Sequence, residues 1–186
     1  MTDTDKKICF IYTDTNGVNS NYETVSKKNL YSFARLVALH YCIGYYTNDG
    51  IKIIKEQKYI LYPDCINFKK EAIKIHKITY EDAIKNGINN DIVISQLKED
   101  LLDVDVIVSH NTLFHLKAIQ VECFRTAISI EFNKKIIIDI NSFTADTVTT
   151  SHEYNLKIKK NKSTNNINLI INIFVDLYKK YLLGLE

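Results

Sequence analysis

The sequence predicts an α/β sandwich built on a mixed five-stranded sheet that is flanked by helices. Three short apolar runs alternate with segments of helical periodicity, and a long hairpin pattern lies between the first apolar run and the helices. A hairpin joins antiparallel strands, whereas parallel strands need a longer crossover, usually a helix. One sheet must therefore contain both kinds of strand pair, which excludes an ordinary doubly wound parallel sheet.

The first strand and the hairpin are indicated by apolar runs and by the turn residues that bound them. Lys7–Thr13 is a short apolar run that ends in an Asp-Thr-Asn-Gly turn signal, so Asp14 is expected at the carboxyl end of a buried strand. Arg35–Thr47 and Ile51–Tyr62 are rich in aromatic and β-branched residues. The Asn-Asp-Gly tripeptide between them supplies the residues that a tight hairpin turn requires.

Two further strands and five helices complete the expected order. Val104–Ser109 and Lys135–Ile140 are apolar enough to be buried strands. One helix has a clear start and stop, since Thr79 begins a capping-box variant and Gly87 follows the last helical residue. The predicted helices are Ile66–Ile75, Thr79–Asn86, Asp91–Leu102, Thr112–Ile130 and Lys162–Leu183. The inward positions expected in the fourth helix are Leu113, Leu116, Ile119, Val121 and Phe124.

Length and composition indicate one globular domain. The chain has 186 residues, 46% of them hydrophobic and 25% charged, with one proline and no internal repeat or linker. These values exclude disordered and fibrous classes. We expect a polar N-terminal tail over residues 1–6 and a single domain over residues 7–186. Because no apolar window approaches the length of a membrane span or has the form of a secretory signal, no membrane partner is expected.

The cysteines indicate the redox compartment of the protein, and the residue bias indicates the base composition of its coding genome. The four cysteines (Cys9, Cys42, Cys65 and Cys123) show no C-x-x-C or Cys/His ligand spacing. We therefore expect free thiols in an intracellular, reducing compartment rather than disulfides or a structural zinc. The 28 isoleucines, 22 lysines and 18 asparagines are typical of an AT-rich coding genome, so a single Asn or Lys is weak evidence by itself.

Four segments, taken in chain order, carry a family resemblance. Residues 11–17 (Ile-Tyr-Thr-Asp-Thr-Asn-Gly) resemble a strand that ends in Asp-x-Glu, and Arg35-Leu36-Val37 opens the hairpin. Residues 71–79 (Glu-Ala-Ile-Lys-Ile-His-Lys-Ile-Thr) are similar to A-x-x-I-H-G-I-T. Residues 105–116 (Asp-Val-Ile-Val-Ser-His-Asn-Thr-Leu-Phe-His-Leu) are similar to D-x-x-V-x-H-N-x-x-F-D-L. Over Lys7–Ile130 the chain thus resembles the DEDDh (DnaQ-like) 3′-to-5′ exonucleases, which implies a ribonuclease H-like exonuclease fold.

The resemblance also implies a chemistry against which these positions can be compared. In that family four carboxylates hold two Mg²⁺ or Mn²⁺ ions for phosphodiester hydrolysis, and a histidine deprotonates the attacking water. Asp14 matches the first carboxylate, whereas Asn16 and His115 stand where the family has Glu and Asp. Asn161 and Asn166 stand where the last motif has its His and Asp. Since amides and imidazole are poor ligands for hard divalent ions, we expect a degenerate site without cofactor, with at most one metal on Asp14 and His115.

Two hypotheses about function follow from this comparison. The leading one is a catalytically inactive exonuclease-like protein that binds nucleic acid, with single strands as candidate ligands, or serves with protein partners as a structural subunit of a larger assembly. A basic group near the last helix is the candidate strand-binding surface, with a solvated loop as the alternative: Lys157, Lys159, Lys160 and Lys162. The second hypothesis is a divergent, weakly active exonuclease that uses Mg²⁺ or Mn²⁺ on Asp14 together with Asp139 or Asp146.

Ordinary structural roles compete with each of these functional interpretations. Asp14 and Asn16 also suit a turn at a strand end, and His115 also suits a hydrogen-bonded histidine in a cleft. The asparagines assigned to the last motif are also good helix caps. Three further residues match scaffold positions of the family and are expected to fix loops: His76, His110 and Asn111.

Overall fold

The computed structural model describes residues 6–17, 23–64, 68–143 and 166–179. The strands are β1 (Lys7–Thr15), β2 (Leu36–Thr47), β3 (Gly50–Ile60), β4 (Val106–Ser109) and β5 (Ile136–Asp139). They form one sheet in the order β3-β2-β1-β4-β5. The central strand β1 pairs antiparallel with β2 and parallel with β4, and β4 pairs parallel with β5. The predicted mixed five-stranded sheet with its hairpin is therefore confirmed.

Helices cover both faces of the sheet. They are α1 (Lys70–His76), α2 (Tyr80–Asn86), α3 (Asn90–Asp100), α4 (Thr112–Thr126), α5 (Ile140–Phe143) and α6 (Asn166–Leu177), with short 3-10 helices at Leu30–Ser32 and Phe132–Lys134. On one face, Cys9 and Ile11 of β1 form a buried core with residues of α3 and α4. On the other face, Ile8 and Phe10 pack with residues of α6. Because β1 is buried on both sides, apolar residues are favoured at successive positions of its sequence.

Helix α4 differs from its prediction in length and in the face that it buries. It ends at Thr126, not Ile130, because Ala127 adopts a left-handed conformation (φ 56°) and donates its N–H to the Cys123 carbonyl. Leu113 and Phe124 were expected to face inward but are 69% and 42% exposed. Polar residues take inward positions instead, since the buried residues of α4 are Thr112, His115, Leu116, Ala118, Ile119, Val121 and Glu122.

None of the helices in the described ranges has the length and apolar character that crossing a bilayer requires. The longest described helix, α4, has 15 residues, among them charged and polar ones such as Lys117 and Arg125. A span needs about 20 predominantly apolar residues.

A buried ion pair joins the hairpin to α4. Glu122 is fully buried and accepts hydrogen bonds from Arg35 Nε (2.8 Å), Arg35 Nη2 (2.9 Å), the Leu36 N–H (3.3 Å) and Asn90 Nδ2 (3.1 Å). Burial works against the charge of Arg35, but the hydrogen bonds and the charges of Glu122 and Asp64 raise the pKa of Arg35 above its ordinary value. One carboxylate thus ties together the start of β2, α3 and α4.

We predict that Glu122→Gln lowers the free energy of unfolding by about 3 kcal/mol, because the substitution removes the buried carboxylate partner of Arg35 and leaves it with the exposed Asp64 alone. The measurement is urea denaturation at neutral pH. Glu131→Gln is the matched control, since Glu131 forms an exposed ion pair with Lys134; it is expected to change stability by less than about 0.5 kcal/mol. A loss of under about 1 kcal/mol for Glu122→Gln would show that the ion pair is dispensable.

Candidate functional site

A cleft of about 320 Å³ lies at the sheet edge where β1 and β4 end. These strands are parallel, so their carboxyl ends meet at the same edge. The cleft is lined by the end of β1, by α1 and the residue before it, and by the turn into α4. The side chains that matter for its chemistry are Tyr12, Asp14, Lys69, Glu71, His76, His110, Phe114 and His115. Sequence motifs that lie about 100 residues apart thus meet in one place.

Asp14 lies at the end of β1 and lines this cleft. Tyr12 lies two residues earlier on the same strand face, and its hydroxyl hydrogen-bonds to the carboxylate. Burial raises the pKa of Asp14 to about 6, although the Tyr12 hydrogen bond and the charge of Lys58 act to lower it. A substantial fraction of Asp14 is therefore protonated in the weakly acidic range, where an ordinary aspartate is fully ionised.

Asn16 is turned toward the backbone of the hairpin and does not line the cleft. Its Oδ1 accepts a hydrogen bond from the Arg35 N–H (2.8 Å), and its own N–H donates to the Arg35 carbonyl (2.9 Å). Its carbonyl accepts from the Lys69 N–H (3.0 Å). Asn16 thus fixes the end of β1 against the start of β2 and the approach to α1, which is the turn role that the sequence allowed.

His115 lies in the first turn of α4 and is only 5% exposed. Its Nδ1 accepts the Thr13 N–H (3.1 Å) and lies 2.8 Å from Thr13 Oγ1. A backbone N–H can only donate, so Nδ1 is unprotonated and the neutral ring carries its proton on Nε2. Burial lowers the pKa of His115 to about 4, although a hydrogen bond with the His110 backbone acts to raise it. His115 is therefore an uncharged, hydrogen-bonded cleft histidine at neutral pH.

Asp139 serves the N-terminus of α4. Its carboxylate accepts hydrogen bonds from the N–H groups of Asn111 (2.9 Å), Thr112 (2.9 Å) and Asn141 (3.0 Å). Asn111 adopts the left-handed conformation (φ 62°) that Asn tolerates better than most residues. A carboxylate at a helix N-terminus is favoured by the unpaired N–H groups there. Asp139 thus holds backbone N–H groups at the start of α4 and does not line the cleft.

The donors described at this edge do not fit a two-metal centre. Each ion of such a centre needs several oxygen anions, and here Asp14 is the one carboxylate among the three positions, while Asn16 and His115 bond within the protein. Within the described ranges, Asp14 belongs to no group of three His, Cys, Asp or Glu side chains with ligand atoms in mutual reach. The side chain of Asn166 and all of Asn161, Asp146, Lys157, Lys159, Lys160 and Lys162 lie outside the described residues.

Other cleft residues were not singled out by the sequence. Lys69 reaches the cleft because its aliphatic chain lies against Gly17, where a Cβ atom would come within 2.9 Å of Lys69 Cδ. Phe114 and the 55% exposed Ile75 provide apolar surface. His76 holds its loop, as expected, through the Ile78 N–H, which donates to Nδ1 (3.1 Å). Phe114 lies three residues after Asn111, at the Phe of the H-N-x-x-F pattern, so its position carried a usable signal.

The strand order and the site at the carboxyl ends of β1 and β4 define a ribonuclease H-like exonuclease fold. Among solved structures, E. coli exonuclease I in complex with a dT13 oligonucleotide matches with a TM-score of 0.73 and 12% identity, over 97% of this chain and 43% of that chain. A product-bound exonuclease I matches with a TM-score of 0.70 and 13% identity, over 96% and 44%. An ExoI/SSB-Ct complex matches with a TM-score of 0.68 and 12% identity, over 96% and 42%.

These likenesses concern the fold. The chain spans less than half the length of the exonuclease I chains named above. No protein-family model matches the sequence, and no curated protein matches it significantly. The fold implied by the motifs is thus confirmed by structure, whereas the activity has to be argued from the site.

Asp14 and His115 give opposite pH dependences. The pKa of Asp14 is raised from 3.8 to about 6, so its contribution to stability is fully present below pH 3.8 and is lost as the pH rises to 6. The pKa of His115 is lowered from 6.5 to about 4, so its contribution is present above pH 6.5 and is lost as the pH falls to 4. In the natural chain the two effects oppose each other in the same pH range.

We therefore predict that Asp14→Asn stabilises the protein at pH 8 by about 1 to 3 kcal/mol. The difference from the natural chain should disappear near pH 4, and the variant should lose stability more steeply between pH 6.5 and 4 because only the His115 effect remains. Urea denaturation across this range is the measurement, with Glu99→Gln on exposed α3 surface as control. An Asp14→Asn protein less stable than the natural chain at pH 8 would contradict the raised pKa.

Proposed function

We propose that this protein is a non-catalytic exonuclease-fold module that binds single-stranded nucleic acid. The observation that carries the proposal is the state of the three described positions that correspond to metal ligands in the resembled family. Asp14 is the one carboxylate, Asn16 is bonded to the hairpin backbone, and His115 is neutral and bonded to Thr13. Their combined charge is at most −1, which is too little to neutralise two divalent ions.

The same loss of charge favours a nucleic-acid strand without metal. Four carboxylates repel phosphate unless cations offset them, whereas this cleft holds Lys69 and Glu71 in addition to Asp14. Phe114 and Ile75 offer apolar surface on which a base can lie, and Lys69 offers a cation for phosphate. The oligonucleotide complex of exonuclease I shows that a protein with this fold holds a single strand. We further propose that Lys157, Lys159, Lys160 and Lys162 contribute charge to strand binding and that the module works with protein partners.

The first test is a nuclease assay on labelled single-stranded DNA and RNA with Mg²⁺ and with Mn²⁺. We expect no cleavage above that of Asp14→Ala, because Asp14 belongs to no group of three potential metal ligands in the described part of the chain. Exonuclease I serves as the positive control for the labelled DNA. Robust cleavage that Asp14→Ala abolishes would overturn the proposal and favour the divergent exonuclease, with carboxylates supplied from outside the described residues.

The second test is binding of a labelled single strand, measured by fluorescence anisotropy at several salt concentrations. We expect affinity to fall steeply as salt rises, and Phe114→Ala to raise Kd about tenfold through lost stacking. Phe124→Ala is the matched control, since Phe124 is the same residue type on α4, is 42% exposed and does not line the cleft. Lys69→Gln should weaken binding and reduce the salt dependence, whereas Lys98→Gln on α3 should do neither. Absence of binding at low salt, together with copurification in a complex, would favour a purely structural subunit.

A further inference from the structure

A second cluster of chemically reactive side chains lies on the hairpin, on the sheet face that α6 covers. His40 and Cys42 belong to β2, and Glu56 belongs to β3. One nitrogen of His40, the sulfur of Cys42 and a carboxylate oxygen of Glu56 all lie within 4.8 Å of one another. It is the one group of three such donors in the described part of the chain. His40 Nε2 and Glu56 Oε1 are 2.8 Å apart.

The sheet register brings these donors together. His40 and Cys42 are two residues apart on one strand, so both side chains point to the same face. Glu56 is the direct cross-strand partner of Cys42, and the partner of His40 is Lys58. Side chains opposite each other on neighbouring strands lie close enough to share a ligand, and diagonal neighbours are within reach of longer side chains. The arrangement is therefore built into paired strands and does not depend on a loop.

The donor set has the chemistry of a zinc site. Imidazole nitrogen, thiolate sulfur and carboxylate oxygen are the three ligand types that Zn²⁺ uses in proteins. Ligand atoms around a tetrahedral zinc ion are separated by roughly 3.3 to 3.8 Å, as follows from zinc bond lengths of about 2.0 to 2.3 Å. The three donors are already within 4.8 Å, so side-chain adjustment of about 1 Å brings them to that spacing. A hard ion such as Mg²⁺ would be disfavoured by the sulfur and the imidazole.

Burial and charge fit the same ion. The side chain of His40 is 12% exposed and that of Glu56 is 58% exposed, while Cys42 is buried. Two donors are thus shielded from water and the third faces it, which leaves a position open to water or to a further ligand. On binding, Cys42 would release its proton to solvent and form the thiolate bond. The thiolate and carboxylate then neutralise the charge of Zn²⁺, and Lys58 remains available to Asp14.

We propose that His40, Cys42 and Glu56 form a Zn²⁺ site that joins β2 to β3. The site is separate from the cleft residues, since none of the three lines the cleft. It also does not depend on nucleic-acid binding, so it stands or falls independently of the function proposed above. Its sequence spacing matches no zinc motif, because the third ligand comes from the partner strand.

The test uses the reduced full-length chain after treatment with EDTA. Titration with Zn²⁺ in a calorimeter is expected to show one ion bound per chain, and Co²⁺ is expected to give the sulfur-to-cobalt charge-transfer band of a thiolate ligand. Glu56→Gln and His40→Gln should each raise the Kd for Zn²⁺ at least tenfold, and Cys42→Ser should abolish the band. Glu56→Gln is the decisive variant, because Glu56 is exposed and its substitution leaves the core intact.

Two controls separate this site from adventitious binding. Cys123→Ser should keep the cobalt band, since Cys123 lies on α4 away from the cluster, and Glu99→Gln should keep the zinc affinity. Absence of one-to-one Zn²⁺ binding overturns the proposal. Zinc binding with the same Kd in Glu56→Gln and His40→Gln also overturns it, because the ion would then be held elsewhere.

Discussion

The buried pair between Arg35 and Glu122 is the interaction on which the arrangement of the cleft depends. Arg35 is held twice, by its side chain on Glu122 of α4 and by its backbone on Asn16 at the end of β1. Removing two charges from water is costly, and the cost is met only when each partner is fully hydrogen-bonded. Glu122 meets that condition with four hydrogen bonds, one of them from Asn90 of α3. The relative positions of β1, the hairpin and α4 follow from these contacts.

The charge state of the cleft follows from the same rigid frame. The end of β1 is held against α4, and burial then acts on both titratable groups in the direction of neutrality. It raises the pKa of Asp14 and lowers the pKa of His115, so an acid and a base lose charge for one physical reason. Desolvation therefore favours the uncharged form of both groups at this edge of the sheet.

Periodicity and turn chemistry predicted most of the fold, because strands and helices are specified locally. The hairpin and the capped helix α2 were readable from short segments, and the capping box of Thr79 and Asp82 is present. The prediction for α4 was right for Leu116, Ile119 and Val121, which are buried, but it missed that the helix also buries Glu122 and His115. Neither residue can be recognised without its partner, which lies 87 residues away for Glu122 and 102 for His115. Likewise, the sequence alone did not show that Glu56 lies beside Cys42, because that contact depends on the register of β2 against β3.

Asn16 and His115 hold the end of β1 through neutral hydrogen bonds to the backbone. Here the amide of Asn16 accepts from the backbone of Arg35, and the imidazole of His115 accepts from the backbone of Thr13. Each thereby gives a backbone N–H a hydrogen-bond partner within the protein. The two residues thus stabilise the end of β1 by neutral hydrogen bonds, and this stabilisation requires no bound ion.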